Sequence, residues 1–136
     1  MPTTAKTFEY ALSLDRAGRV APEGDVPLEL PEAWTPEHLV LAGLLRCSVQ
    51  SLRFHAARSG IDLLAHGHAT STVTKRDEDG RYAFVRIECE LDVELEPEPP
   101  GDEIAALVAK AERDCFVGAS LTAKPTYRWR VNGTEV

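Results

Sequence analysis

The chain is poor in cysteine and in aromatic residues, and it has no long apolar segment. Its 136 residues include three cysteines, and aromatic residues make up 7%. A small, odd number of cysteines argues against the disulfide framework of a secreted domain. The longest apolar run covers residues 39–45, far short of the roughly 20 residues of a membrane span. Residues 1–6 show no apolar secretory signal, so we expect a cytoplasmic protein with no membrane partner.

Positive charge is also scarce, because 15 Lys and Arg face 22 Asp and Glu, for a net charge of −7. This acidity argues against a nucleic-acid partner, because binding to the negatively charged phosphates relies on an excess of basic residues. Apolar residues at 43% and charged residues at 27% are typical of a globular protein. A chain of this length fits one domain that buries roughly two-thirds of its unfolded surface. We therefore predict a single domain over residues 1–136.

The first half of the chain predicts a strand and then a long helix. Apolar and polar residues alternate over residues 8–14, which indicates a half-buried strand, and residues 15–18 are typical of a turn. Thr35 and Pro36 mark a helix start, and Gly60 marks its end. Residues 39–49 are apolar on nearly every side, which predicts a buried helix. The second half of this helix, including His55, should emerge toward solvent.

The second half predicts a hairpin, a shorter helix and a last strand. Residues 63–75 form the first strand, residues 77–80 the turn, and residues 82–95 the return strand. Alternation places Ala83, Val85 and every second residue after them inward. Asp102 can cap a helix that ends near Asp114, and residues 127–131 alternate again. The order of elements predicts an α+β fold.

The three cysteines have different neighbours. Cys89 is in phase with the inward residues of its strand, which predicts a buried, unreactive thiol. Cys47 lies in the middle of the long helix, and its residues alone leave open a core role or a reactive thiol. A reactive Cys47 would need a cation from another segment, and Arg16 or Arg19 could supply it. Cys115 follows a helix end beside acidic residues, which disfavour the thiolate form and so predict a poor nucleophile. A resolving thiol would not need activation by its own surroundings.

Other polar and aromatic residues give weaker signals. His66 and His68 share one face of a strand, but two histidines without a placed third ligand favour a solvated face over a metal site. The sequence thus predicts no metal and no cofactor. Trp34 precedes the helix start, where it can act as a hydrophobic staple or form a wall of a substrate pocket.

Three segments resemble the OsmC/Ohr family of osmotically inducible and organic hydroperoxide resistance proteins. Residues 35–47 resemble the family's N/T-P-E-x-L…A…C helix, with ten residues from Glu37 to Cys47. Residues 111–120 resemble its second cysteine motif, usually A-H-x-x-C-P, although Glu112 and Phe116 replace the usual His and Pro. Residues 15–19 lie where the family has an arginine in a turn. With Glu112 and Phe116 at those positions, the chain resembles the OsmC-like branch of the family more than the hydroperoxide-resistance branch.

The resemblance implies an OsmC-like α+β fold with antiparallel sheets, a long buried central helix, a second shorter helix and an intertwined homodimer. It implies an antioxidant, stress-response oxidoreductase: a thiol-dependent peroxidase that reduces organic hydroperoxides. Cys47 would attack the peroxide and Cys115 would resolve it, while Arg16 holds the thiolate and Glu37 orients the arginine. A dithiol, such as a lipoyl group, would reduce the disulfide. The alternative hypothesis is a non-catalytic OsmC-like dimer that binds a small apolar ligand.

Helix geometry adds a prediction about Glu37. A step of ten residues corresponds to about 15 Å of rise and about 280° of rotation, so Glu37 cannot reach Cys47 of its own helix directly. We predict a composite site in which Glu37 comes from the other chain of a homodimer. We also expect a low pKa for Cys47, and apolar walls from Trp34, Leu44 and Phe116 that favour alkyl or lipid-like hydroperoxides over H₂O₂.

Overall fold

The computed structural model describes residues 5–136. In chain order its elements are β1 (Leu12–Leu14), β2 (Val20–Pro22), α1 (Pro36–Ala57), β3 (Asp62–Lys75), β4 (Tyr82–Glu96), α2 (Gly101–Arg113), α3 (Phe116–Ser120), β5 (Thr126–Val131) and β6 (Thr134–Glu135). The chain divides into two compact units. We call residues 5–37 the arm and His38–Val136 the body. The α+β class is confirmed.

The arm carries a short hairpin of β1 and β2. Its turn, predicted over residues 15–18, is confirmed, and Gly18 adopts a φ of +81° that favours glycine. Asp15 accepts hydrogen bonds from the backbone N–H groups of Ala17 and Arg19 at 2.9 Å. The predicted half-buried strand over residues 8–14 is wrong in two respects. Only Leu12–Leu14 is a strand, and both of its faces are exposed because nothing else in the arm covers them.

The body is built on a four-stranded sheet in the order β3-β4-β5-β6. The β3–β4 hairpin is confirmed, and Arg76 and Asp79 are paired at 2.6 Å in its turn. β5 runs parallel to β4, so the sheet is mixed. The predicted inward phase holds from Ile87 to Leu95 but fails at Val85, which is exposed while Phe84 packs on the core. A bulge opposite Thr72 and Val73 causes this change, because one extra residue of β4 reverses the alternation.

Helix α1 starts at Pro36 as predicted, and Gly60 follows its end with a φ of +70°. Its fully buried residues follow a four-residue spacing, which makes one stripe: Leu44, Ser48, Leu52 and Ala56. The other residues of 39–49 are partly or fully exposed. The single chain therefore does not show the predicted burial on every side, because the sheet covers only one face of the helix.

Helix α2 covers the same face of the sheet as α1. Its predicted apolar stripe is buried as expected: Ile104, Leu107, Val108 and Ala111. The predicted cap is wrong, because Pro100 is the N-cap residue and Asp102 lies in the first turn. A main core joins both helices to the sheet. A second cluster of buried residues joins Leu44, Ile87, Cys89 and Cys115. Within residues 5–136 no helix is long and apolar enough to cross a membrane.

Candidate functional site

Two of the three cysteines lie side by side at the second buried cluster. Cys47 comes from α1 and packs, partly buried, against the cluster that contains Cys115. Cys115 is fully buried and is the N-cap residue of α3, a short helix that the sequence patterns did not predict. Its sulfur accepts a hydrogen bond from the Gly118 N–H at 3.4 Å. All three cysteines are free thiols, so the first two form a pair with unequal access to solvent.

The pKa of the Cys47 thiol is raised, chiefly by burial and further by the adjacent Cys115 side chain. The backbone N–H groups of Val117 and Phe116 act in the opposite direction, because they can donate hydrogen bonds to the Cys47 sulfur. The expected low pKa of Cys47 is therefore wrong for the single chain. Two amide donors do not offset the desolvation of a half-buried thiol, and a neighbouring cation would be needed to reverse the shift.

Two hydroxyl groups beside Cys115 were missed by the sequence patterns. Ser48 Oγ donates to the Leu44 carbonyl at 2.8 Å, lies 3.0 Å from Tyr127 Oη and lies 3.6 Å from Cys115 Sγ. Burial raises the pKa of the Tyr127 hydroxyl well above its ordinary value. Ser48 follows Cys47 directly and lies four residues after Leu44, on the buried stripe of α1. A polar residue at that position was the available signal. Tyr127 was assigned only to the alternation of the last strand.

Cys89 occupies a different place in the same cluster. It lies in β4 opposite Ala69 and next to Tyr127 of β5, and it is 1% exposed. Burial, with a smaller contribution from the negative charge of Cys115, raises its pKa to about 11. The predicted burial is confirmed. A protonated, enclosed thiol in the middle of a sheet is unsuited to nucleophilic attack.

The predicted arginine and glutamate belong to the arm. Arg19 is engaged there, because its Nε donates to Asp15 at 2.9 Å and its Nη1 lies 3.9 Å from Glu29. The backbone N–H and the guanidinium of Arg19 together hold the pKa of Asp15 below its ordinary value. Arg16 is exposed and has no hydrogen bond or ion pair to any residue of 5–136. Glu37 is exposed in the first turn of α1.

The three predicted wall residues lie in three different settings. Leu44 is fully buried in the same cluster as Cys115, against which Cys47 packs. Phe116 opens α3 directly after Cys115 and is 55% exposed. Trp34 belongs to the arm and is 48% exposed. The structure thus brings Leu44 and Phe116 to the thiol pair, and a role for any of the three in binding a substrate stays a prediction.

Polar residues that precede Cys115 in the chain also have hydrogen-bond partners. Glu112, which replaces the family's usual His, accepts a hydrogen bond from the Trp129 indole at 3.1 Å and so links α2 to β5. His55 Nε2 donates to Asp114 at 2.8 Å, and the side chain is only 12% exposed. The predicted outward orientation of His55 is therefore wrong, because the carboxylate after α2 draws it inward. Arg113 and then His55 lower the pKa of Asp114 to about 2.

The strand histidines lie apart from the thiols. His66 and His68 are exposed on β3, and His68 Nε2 lies 3.2 Å from a Glu90 carboxylate oxygen. In the part of the chain that the structure describes, no group of three or more His, Cys, Asp or Glu residues could hold a metal ion.

A family model for OsmC-like proteins matches residues 29–130, which is most of the chain and includes both cysteines of the pair. The chain belongs to the OsmC-like family. No curated protein sequence matches it. This OsmC-like chain has the fold of several solved structures, which extends the match from sequence to architecture.

One similar structure is an OsmC-like protein of unknown function from Vibrio cholerae. It has a TM-score of 0.73 at 13% identity and covers 90% of this chain and 99% of that chain. The organic hydroperoxide resistance protein OhrB of Bacillus subtilis gives 0.54 at 19%, with 93% and 98% covered. A putative organic hydroperoxide resistance protein from Vibrio cholerae, with captopril in one of its active sites, gives 0.62 at 19%, with 99% of both chains covered.

Proposed function

We propose that this OsmC-like protein is a cysteine-based peroxidase that reduces organic hydroperoxides. The observation that carries the proposal is the pairing of Cys47 with Cys115, two free thiols from different segments. One is partly accessible and the other is enclosed, as an attacking thiol and a resolving thiol would be. The organic hydroperoxide resistance proteins among the similar structures support the substrate class.

The proposed reaction has two steps in this chain and one with a reductant. The Cys47 thiolate attacks the outer oxygen of the hydroperoxide, the O–O bond breaks, and an alcohol leaves after protonation. Cys47 is then a sulfenic acid. Cys115 attacks its sulfur, the S–O bond breaks, and the hydroxide leaves with the thiol proton as water. A dithiol, for example a lipoyl group, then supplies two electrons and two protons that restore both thiols.

The thiolate needs a positive charge, and the groups that shift the pKa of Cys47 within the chain include no cation. We assign this charge to Arg16. Arg19 is the poorer candidate because Asp15 and Glu29 already face its guanidinium. Glu37 would orient Arg16 by a bidentate pair, which suits a planar guanidinium. Because about 15 Å of helix separates Glu37 from Cys47 of the same chain, the proposal places Glu37 in the other chain of an intertwined homodimer. The domain is then the whole chain, residues 1–136.

The proposed substrate pocket is apolar. Phe116 next to Cys115, Leu44 of the same buried cluster and Trp34 from the arm would form its walls. Such a pocket favours an alkyl or lipid-like hydroperoxide, and H₂O₂ would gain little from it. The proposal includes a cytoplasmic role in stress defence, because dithiol reductants are available in that compartment.

The raised pKa of Cys47 favours a second candidate, a non-catalytic dimer that binds a small apolar ligand and whose cysteines are redox-silent. Both functions use the same apolar walls. They differ in whether the thiols react.

One experiment separates the two functions. Reduced protein is treated with cumene hydroperoxide or H₂O₂, and free thiols and intact mass are followed. A peroxidase loses two thiols and two mass units per chain, faster with cumene hydroperoxide. The Cys115→Ser variant should stop at a sulfenic acid on Cys47 that dimedone traps, while Cys89→Ala should behave like the unaltered chain. Retention of all three thiols with either peroxide would favour the ligand-binding function.

A further inference from the structure

A buried hydroxyl pair lies against the sulfur of Cys115. Ser48 is the only buried polar residue among those that the structure describes, and it is 0% exposed. Its oxygen lies 3.6 Å from Cys115 Sγ and 3.0 Å from Tyr127 Oη. A hydroxyl enclosed in an apolar cluster is costly unless it is hydrogen-bonded. The Ser48 hydroxyl has three partners, so its hydrogen-bonding capacity is fully used. We call Ser48, Tyr127 and Cys115 the node.

The protons of the node can be assigned from donor and acceptor types. The Ser48 hydroxyl donates its single proton to the Leu44 carbonyl, which can only accept. Tyr127 therefore donates to Ser48 Oγ, and the remaining Ser48 lone pair can accept from the Cys115 S–H. Once Cys115 is a thiolate its sulfur can only accept. Either hydroxyl can then turn to donate to it, beside the Gly118 N–H at 3.4 Å.

Gly118 permits this close arrangement. A Cβ at position 118 would lie 3.3 Å from Tyr127 Oη, which is tighter than most real contacts, and 3.4 Å from Cys115 Sγ. The absence of a side chain lets the tyrosine hydroxyl and the sulfur approach the same point of α3. The node is thus enclosed by α1, α3 and β5, and the Cys115 sulfur has little freedom within it.

We propose that Ser48 and Tyr127 are positioning residues for the resolving thiol, holding the Cys115 sulfur toward Cys47 and donating a hydrogen bond to it as it becomes a thiolate. This inference rests on the resolving role in the proposed function. In that step Cys115 forms the S–S bond, the S–O bond of the Cys47 sulfenic acid breaks, and the thiol proton leaves in water. The negative charge of Cys115 also contributes to the raised pKa of the Tyr127 hydroxyl, as expected for close neighbours.

The test uses bridge closure, with and without peroxide, in the full-length protein. Diamide, a diazene that takes up the two thiol hydrogens, drives formation of a Cys47–Cys115 bridge without peroxide chemistry. The variants are Tyr127→Phe and Ser48→Ala. Their matched controls are Tyr82→Phe, an exposed tyrosine of β4, and Ser51→Ala, one turn further along α1. Ser51 Oγ has no hydrogen-bond partner among residues 5–136.

We expect closure with diamide to slow about tenfold in Tyr127→Phe and Ser48→Ala, with its pH midpoint moved to higher pH because the thiolate loses a donor. Both controls should close at the unaltered rate. Sulfenic acid formation on Cys47 in a Cys115→Ser background should be unchanged by Tyr127→Phe. Tyr127→Phe retains the aromatic ring and removes only the hydroxyl, so the test can be made with this variant alone if Ser48→Ala does not fold.

Equal closure rates and pH midpoints in the variants and the unaltered chain would overturn the inference, and so would equal slowing in the controls. Failure of the unaltered chain to form the bridge with diamide would overturn it as well. Closure with diamide that slows in the two variants, in a protein inert to hydroperoxides, would refute the proposed function and the resolving role with it. Only the positioning of the Cys115 sulfur by the two hydroxyls would then be supported.

Discussion

The arm exposes its large apolar side chains, whereas the body buries many of its own. In the arm, Tyr10, Leu14 and Val26 are 85%, 73% and 79% exposed. In the body, Leu52 and Val93 are fully buried in the core that joins the helices to the sheet. The body thus has its own core, whereas the arm has an apolar surface of the kind that marks an interaction site. The same division separates the proposed chemistry, because the thiols lie in the body and the proposed arginine and glutamate lie in the arm.

The strongest test of this division mixes two defective chains. Glu37→Ala and Cys47→Ser homodimers should each lack full activity, the second completely. If each site takes Glu37 from one chain and Cys47 from the other, subunit exchange yields mixed dimers with one intact site. Activity should then rise to about a quarter of that of the unaltered protein, because half of the dimers are mixed and each has one good site of two. Hydroperoxide consumption before and after exchange measures this.

No gain on mixing would place both residues in the same chain. The matched control exchanges Cys47→Ser with Cys115→Ser. Since the proposal assigns these two residues to one chain, that mixture should contain no intact site.

Removal of Arg16 from the arm should have the next largest effect. Arg16→Ala should raise the pKa of Cys47 and lower kcat/KM about tenfold to a hundredfold, because an opposite charge close to a thiol stabilises the thiolate. The rate of Cys47 alkylation against pH measures the shift, whose midpoint should move to higher pH. Arg19→Ala is the matched control and should cost little. A larger effect of Arg19→Ala than of Arg16→Ala would reverse the assignment.

A charge placed on the apolar surface of the arm should weaken self-association. Leu12→Glu, at a position 67% exposed in the arm, should raise the dimer dissociation constant about tenfold or more, because an interface would have to desolvate the carboxylate. Leu64→Glu, at a position 72% exposed on the body, is the matched control and should have no effect. Sedimentation of a dilution series measures both. A stable folded monomer of the unaltered chain at micromolar concentration would contradict the composite site.

The smallest expected effect concerns the stability of the body near Cys115. Asp114→Asn should lower the free energy of unfolding at pH 7 by less than about 1 kcal/mol, because the carboxylate is partly exposed and solvent screens its pairs. Since the pKa of Asp114 is lowered to about 2, its contribution is present above the ordinary carboxyl pKa and is lost as the pH falls toward 2. Urea unfolding at pH 7 and at pH 2 measures the difference.

Asp77→Asn, in the exposed turn between β3 and β4, is the control for that measurement and should change neither value. A cost of Asp114→Asn that is the same at both pH values would show that the carboxylate acts by its shape and not by its charge.

Local patterns predicted the elements whose burial is periodic within one segment. The start and end of α1, the β3–β4 hairpin and the stripe of α2 all follow from spacing, punctuation by Pro and Gly, and alternation. The pairing of the two cysteine motifs followed from a family resemblance, since the motifs lie far apart in sequence.

Features that depend on contacts between distant segments were missed. The parallel pairing of β5 with β4, the bulge that turns Phe84 inward and the His55–Asp114 contact all join residues that no local pattern connects. Ser48 and Tyr127 were missed for the same reason, because each is unremarkable in its own segment. Burial on every side of α1 was overestimated, since an apolar sequence does not say which neighbour covers each face.

The enclosed position of Cys89 makes its alkylation a measure of whether the sheet is intact. With a pKa of about 11 and 1% exposure, this sulfur should not react with an alkylating reagent for as long as β4 stays paired with its neighbouring strands. A gentle denaturant series followed by mass analysis would therefore record, at one residue, the moment at which the strands separate. The sulfur that takes no part in the proposed chemistry thus allows loss of activity through unfolding to be distinguished from loss through oxidation of its two neighbours.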